Sequence, residues 1–155
     1  MTQTEQVTTL AATVLTGLLA GTYFAYACSV MPALRRTGDR TLVEVMQKIN
    51  IVIQNPVFFV AFFGAPAVSA VAVGLHATGW TIAGLVLNAA GLLVTMAANI
   101  PLNNALDAAG DPEAIADPAG VRRKFERAWN SWNTARTVLT LAALVCLGEA
   151  LPGRH

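Results

Sequence analysis

The chain has 155 residues, room for one compact domain, and is 55% hydrophobic with a mean hydropathy of +0.55. Only 12% of its residues are charged, against about 25% in a typical soluble domain, so the composition is that of a polytopic membrane protein. A net charge of +1 leaves no basic excess for nucleic acid, and two cysteines without a CxxC pair supply no disulfide framework.

Residues 1–6 carry no Lys or Arg and no small-residue cleavage site, so the first apolar run is expected to be a retained span. Four runs, 7–30, 56–75, 80–100 and 134–151, are long enough to cross a bilayer core, which takes about 20 residues. Strand-like alternation is absent, and lipid demands internal hydrogen bonding, so all four are expected to be helices. The predicted fold is a single all-α membrane domain over residues 1–155, a four-transmembrane-helix bundle with a short amphipathic helix between spans 1 and 2.

In the first span, Gly17 and Gly21 form a small-xxx-small pair that lets another helix approach, unless both are mere helix filler. Tyr23 and Tyr26 fit two roles, interfacial belt or pocket wall. Met31-Pro32 is expected to close the span. A polar turn at residues 35–40 follows, and Thr41 with Glu44 reads as a capping box. Leu42, Val45, Met46, Ile49 and Ile53 then repeat at helical spacing, the mark of an amphipathic helix on the membrane surface or over the bundle end. It ends near Asn50, Gln54 and Asn55. Asn55-Pro56 is a cap-and-start pair for the second span, which Pro66 should kink.

In the third span Gly84, Asn88, Gly91, Thr95 and Asn99 drift slowly round one face, which should look into the bundle. Pro101 frees a carbonyl near Ala97, and Asn99 and Asn103 flank that weakened turn. After an acidic connector at residues 107–117, Asp117-Pro118 reads as a second cap-and-start pair, opening a helix expected to run unbroken into the fourth span. The loops after spans one and three hold Arg35, Arg36, Arg40, Lys48, Arg122, Arg123, Lys124 and Arg127, and the opposite side only Arg154. By the positive-inside rule both termini lie outside.

His76 and His155 are the only histidines, and HExxH, paired intramembrane carboxylates, dinucleotide and phosphate loops and a GxSxG elbow are all absent. No metal or cofactor is therefore expected. What remains is an amide-rich nest: Asn50, Gln54, Asn55, Asn99, Asn103, Asn133 and Arg136, walled by Trp129 and Trp132. Trp129, Trp132, Asn133 and Arg136 fall at i, i+3, i+4 and i+7, one helical face at the cytoplasmic membrane boundary. A guanidinium keeps its charge and offers five donors, so such a nest can hold an oxyanion, an enolate or a carboxylate. It can equally cap helix ends and knit the bundle.

Five stretches, in order along almost the whole chain, resemble the DUF1772, or anthrone oxygenase-like, family of small four-span membrane proteins. They are Gly21-Thr22-Tyr23-Phe24-Ala25-Tyr26, Val30-Met31-Pro32-Ala33-Leu34, Met46-Gln47-Lys48-Ile49-Asn50 with Asn55-Pro56-Val57-Phe58, Asn99-Ile100-Pro101-Leu102-Asn103-Asn104-Ala105-Leu106, and Trp129-Asn130-Ser131-Trp132-Asn133-Thr134-Ala135-Arg136. Tyr26 stands where many relatives are expected to carry Phe. The resemblance implies oxidation of an anthrone to an anthraquinone with O2, and an aromatic polyketide-like substrate. On that expectation Arg136, Asn133, Asn103 and Asn99 form the catalytic set. Trp129, Trp132, Tyr23, Asn50 and Asn55 bind the substrate, and the base is open between Tyr23, Glu126 and a bound water. The competing expectation is a membrane binding or assembly protein, with homo-oligomerisation through the small-residue faces. A small transporter is a third, weakened by the lack of an intramembrane acid pair. An enzyme needs room beside Arg136; a scaffold has Arg136 tied up by the asparagines.

Overall fold

The computed structural model describes residues 1–151, and every regular element among them is helical. Five helices follow in order: α1 (Gln3–Leu34), α2 (Asp39–Val52), α3 (Pro56–Leu75), α4 (Gly79–Asp107) and α5 (Pro118–Glu149). The four long ones close a ring, in which α1 and α4 each pack against both α3 and α5. The short α2 lies across one end, on α5 and the last turns of α4.

Local chemistry sets most boundaries. Asn55 accepts the Phe58 amide at the start of α3, and Asp117 accepts the Gly120 amide at the start of α5, so both predicted cap-and-start pairs hold. Thr2 with Glu5 and Thr78 with Thr81 form capping boxes for α1 and α4. The expected box at Thr41–Glu44 is absent because α2 begins earlier, at Asp39 behind Gly38. Thr41 is therefore already inside the first turn.

Both α1 and α4 pass through a π-helical turn, at Tyr26–Val30 and Thr95–Asn99. In each, the amide of the next residue reaches five residues back, Met31 to Tyr26 and Ile100 to Thr95. A proline follows at once, Pro32 or Pro101. Its ring lacks an N–H and would crowd the carbonyl four residues earlier; the wider turn relieves that crowding. Hence α1 does not close at Met31-Pro32 but continues to Leu34. Likewise, Asn99 and Asn103 are not spent on loose backbone beside Pro101; both reach α5 instead.

Small polar side chains are buried beside an apolar core, and large apolar ones also cover the outside of the spans. Thr9, Thr16, Ser69, Asn88, Thr95, Thr137 and Thr140 are buried, whereas Leu10, Val14, Leu18, Val60, Phe63, Val86, Leu93, Val138 and Val145 are exposed. The α4 stripe of Gly84, Asn88, Gly91, Thr95 and Asn99 is buried throughout, as its spacing predicts. Asn88 donates to the hydroxyls of Thr16 (2.9 Å) and Ser69 (3.1 Å), joining α4 to α1 and α3. Gly17 makes ordinary contact with Leu144 and Gly21 faces open space, so this pair is not a tight crossing. The tight crossing is at Gly84, against Leu147 of α5.

Three helices, α1, α3 and α4, are long and apolar enough to cross a membrane. The long α5, unbroken as expected, falls outside that set, because charged residues fill its first half and Asn133 and Arg136 interrupt its apolar run. Arg154 and His155 lie outside the described residues.

Candidate functional site

Where α2 closes the end of the ring, a cavity of about 210 Å³ remains among all five helices. An engineered apolar void of about 150 Å³ already holds benzene. The walls are mainly aromatic and aliphatic: Tyr23 and Tyr26 from α1, Met46 and Ile49 from α2, Phe58, Phe59 and Phe62 from α3, Ile100 from α4, and Trp129 from α5. Amides punctuate them at Asn50, Gln54, Asn103 and Asn104.

The cation in the wall is Arg136, only 7% exposed. Its guanidinium carbon sits 4.1 Å from the Tyr23 ring centre and 5.3 Å from that of Trp129, a cation against two π-faces. Nε and Nη2 both donate to Asn133 Oδ1, at 3.1 and 2.9 Å. Asn133 is itself fixed, because its Nδ2 donates to the Tyr23 carbonyl at 3.1 Å. Among the described residues Nη1 makes no hydrogen bond, and no carboxylate pairs with the guanidinium. A buried cation without a counter-ion is costly, and an anionic guest offsets that cost.

The other predicted residues divide by position. Asn103 and Asn50 line the cavity, with Asn103 Oδ1 accepting Trp129 Nε1 at 2.8 Å. Asn133 and Asn99 stand behind the wall. Asn99 donates to the Trp129 carbonyl at 3.4 Å, and its buried Oδ1 has no partner. Asn55 does not reach the cavity: its Oδ1 takes the Phe58 amide and its Nδ2 the Val52 carbonyl, so the whole group is spent on the cap. Trp132 is 45% exposed and points away. At 100° per residue it sits about 60° to one side of Trp129, whereas Arg136 returns to within about 20°. The four-residue face thus splits, with Trp132 left outside.

Glu126, one candidate base, is also elsewhere. Its carboxylate takes Arg122 Nε at 2.6 Å and Arg35 Nε at 3.0 Å. Arg122 also donates to Asp39 and to the carbonyls of Arg35 and Thr37, which caps the end of α1. Burial pushes the Glu126 carboxyl up, but the hydrogen bonds and charges of Arg122 and Arg35 outweigh it and hold the group below its ordinary value.

Sequence reasoning missed the phenylalanines of α3 and Asp107. In a bilayer protein the lipid face and the bundle face of an apolar helix look alike, so Phe59 and Phe62 carried no signal, and Phe58 only its place in a resembling stretch. Asp107 read as the first residue of an acidic connector; it ends α4 and lines the cavity.

A family model described as anthrone oxygenase matches residues 50–146, which carry the cavity wall from Asn50 to Arg136. No curated protein and no solved structure matches the chain.

Proposed function

The chain belongs to the anthrone oxygenase family, and from that premise we propose that it oxidises an anthrone, or a related polycyclic phenol, to a quinone with O2. The observation that carries this reading is Arg136: a buried guanidinium without a carboxylate, opening onto a cavity walled by aromatic rings. An anthrone that loses a proton from its central methylene becomes an electron-rich anion with its charge on the ring oxygen. Arg136 stabilises that oxygen by a charge-assisted hydrogen bond in a site shielded from water. Asn103 supplies a second polar contact, and Tyr23, Trp129 and Phe62 supply faces for the rings.

The anion gives one electron to O2, and the two radicals recombine as a peroxide at the former methylene carbon. Loss of water from the hydroperoxide leaves the quinone. The sum is anthrone plus O2 giving anthraquinone plus water. The substrate anion is itself the reductant, so this route needs no cofactor.

The membrane arrangement belongs to the same reading. The half of α5 beyond Arg136 serves as a fourth span: Val138, Leu141 and Val145 face outward while Thr140, Ala143 and Leu147 are buried between α1 and α4. Arginines and lysines gather at the end of the ring that α2 covers; by the positive-inside rule this supports a cavity at the cytoplasmic boundary with both termini outside. The second reading, a binding or assembly protein, draws on the two hydrogen bonds Asn133 accepts from Arg136, which suit a structural knot.

Oxygen uptake by the purified protein with anthrone and a chelator separates the two. Oxidation reads as turnover above the spontaneous rate that survives the chelator. It falls about 100-fold or more in Arg136→Gln and is partly kept in Arg136→Lys. Chelator-sensitive turnover, or full activity in Arg136→Gln, contradicts the scheme.

A further inference from the structure

We propose that Asp107 is the general base that takes the methylene proton, held ready by Asn50; this rests on the oxidation reading above. Among the described residues, Asp107 is the one carboxylate in the cavity wall, and it forms no ion pair. Asn50 Nδ2 donates to its Oδ1 at 3.3 Å. That bond fixes one oxygen and leaves the other lone pairs for a proton. The remaining polar side chains of the wall are poor bases: Asn50, Gln54, Asn103 and Asn104 are amides, Tyr23 and Tyr26 are phenols that keep their protons at neutral pH, and Arg136 is already protonated. Glu126 lies outside, bound to two arginines.

The placement suits the chemistry. In an anthrone the carbonyl and the methylene face each other across the central ring, so the oxyanion donor and the base must stand at opposite ends of the guest. Arg136 is buried, while Asp107 is exposed at the mouth. The two line the same cavity from different helices, Arg136 from α5 and Asp107 from the last residue of α4. The bond from Asn50 explains why α2 closes the site: it carries the residue that orients the base. Gln47, on the same helix, donates to the carbonyls of Leu106 and Gly110 at 2.9 and 3.0 Å, which pins α2 to the end of α4 around Asp107.

The protons balance through this single group. Asp107 takes the first methylene proton as the C–H electron pair moves into the ring and onto the oxygen beside Arg136. After O2 has accepted an electron and bonded to that carbon, Asp107 returns the proton to the distal peroxide oxygen. It then removes the second hydrogen of the carbon as the O–O bond breaks. The departing hydroxide recovers that proton from Asp107 and leaves as water.

Initial rates of anthrone oxidation in wild type, Asp107→Asn and Asp107→Ala test the assignment, with anthraquinone binding as the check on folding. The expected result is a rate loss of about 100-fold or more in both variants, with anthraquinone affinity within about threefold of wild type. Acetate added to Asp107→Ala, where the vacated carboxylate position opens to solvent, should restore part of the rate and leave wild type unchanged. A merely structural aspartate would not respond to acetate. Wild-type-like rates in the variants, or a loss that acetate does not repair, overturn the assignment while leaving the oxidase standing. A wild type without anthrone turnover overturns both.

Discussion

Single residues at this site divide into those that touch the cavity and those that hold others in place. Trp129 does both, since its ring walls the cavity and its Nε1 holds Asn103. Trp129→Phe keeps most of the ring but leaves Asn103 Oδ1 without its donor. The variant should lose about 1 kcal/mol of stability, read from thermal unfolding in detergent, with a larger loss in affinity for a flat aromatic guest. An unchanged midpoint would show that this hydrogen bond carries nothing. The spacing of Trp129, Asn133 and Arg136 made their shared face legible before any coordinates. It could not separate Trp132, because a four-residue helical face is wider than the seam it buries. Asn55 was legible as a cap and as a ligand at once, and the cap consumed all of it. Asp107 was hidden because its role depends on α4 running through Asn103 to the edge of the acidic connector, a boundary that composition does not mark.

Between elements, close packing and ion pairs make separate demands. A methyl group added at Gly84 would stand 2.7 Å from Leu147 Cγ, a fully buried side chain, while at Gly21 it would meet nothing within 4 Å. Gly84→Ala should therefore cost about 1–3 kcal/mol, and Gly21→Ala should be neutral or stabilise α1 by up to about 1 kcal/mol. Thermal midpoints of the two variants check the contrast, and equal midpoints would contradict the packing described here. At the other end of the ring, Glu126 of α5 pairs with Arg35 just past the end of α1 and with Arg122 one turn away on its own helix. Its carboxyl titrates lower when folded than when unfolded. That link is therefore fully present above the ordinary carboxylate value and disappears as pH falls through the lowered one. Stability measured down an acid titration should fall less steeply in Glu126→Gln than in wild type; parallel curves would remove Glu126 from the account. The inward stripe of α4 and the unbroken α5 were both legible from helical spacing. The π-turns were not: Pro32 and Pro101 signalled a break, and the chain widened by one residue instead of stopping.

For the molecule as a whole, the apolar outer surface suits a bilayer, and the charge distribution supports the proposed orientation in it. Valines, leucines and phenylalanines face out, while threonines, asparagines and one guanidinium share the interior with buried alanines, leucines and methionines; a protein dissolved in water keeps its polar groups outside. With Cys28 and Cys146 replaced, a single cysteine at Thr37 should react in intact cells only with a membrane-permeant thiol reagent, and one at Ala77 also with an impermeant one. The opposite pattern would invert the topology and put the cavity at the outer face. Membrane class was legible from hydropathy alone. The existence of a cavity was not, because it forms where five helices fail to meet, and no one of them records that gap. The central claim is that Arg136 waits in that cavity for an anionic oxygen on a flat ring system. Its most direct test is a titration of the detergent-purified protein with an ionised hydroxyanthraquinone, followed by quenching of tryptophan fluorescence. Saturable binding that weakens about 10-fold or more in Arg136→Gln, while binding of uncharged anthracene stays the same, is the predicted result. Equal affinity of both proteins for the anion would contradict it.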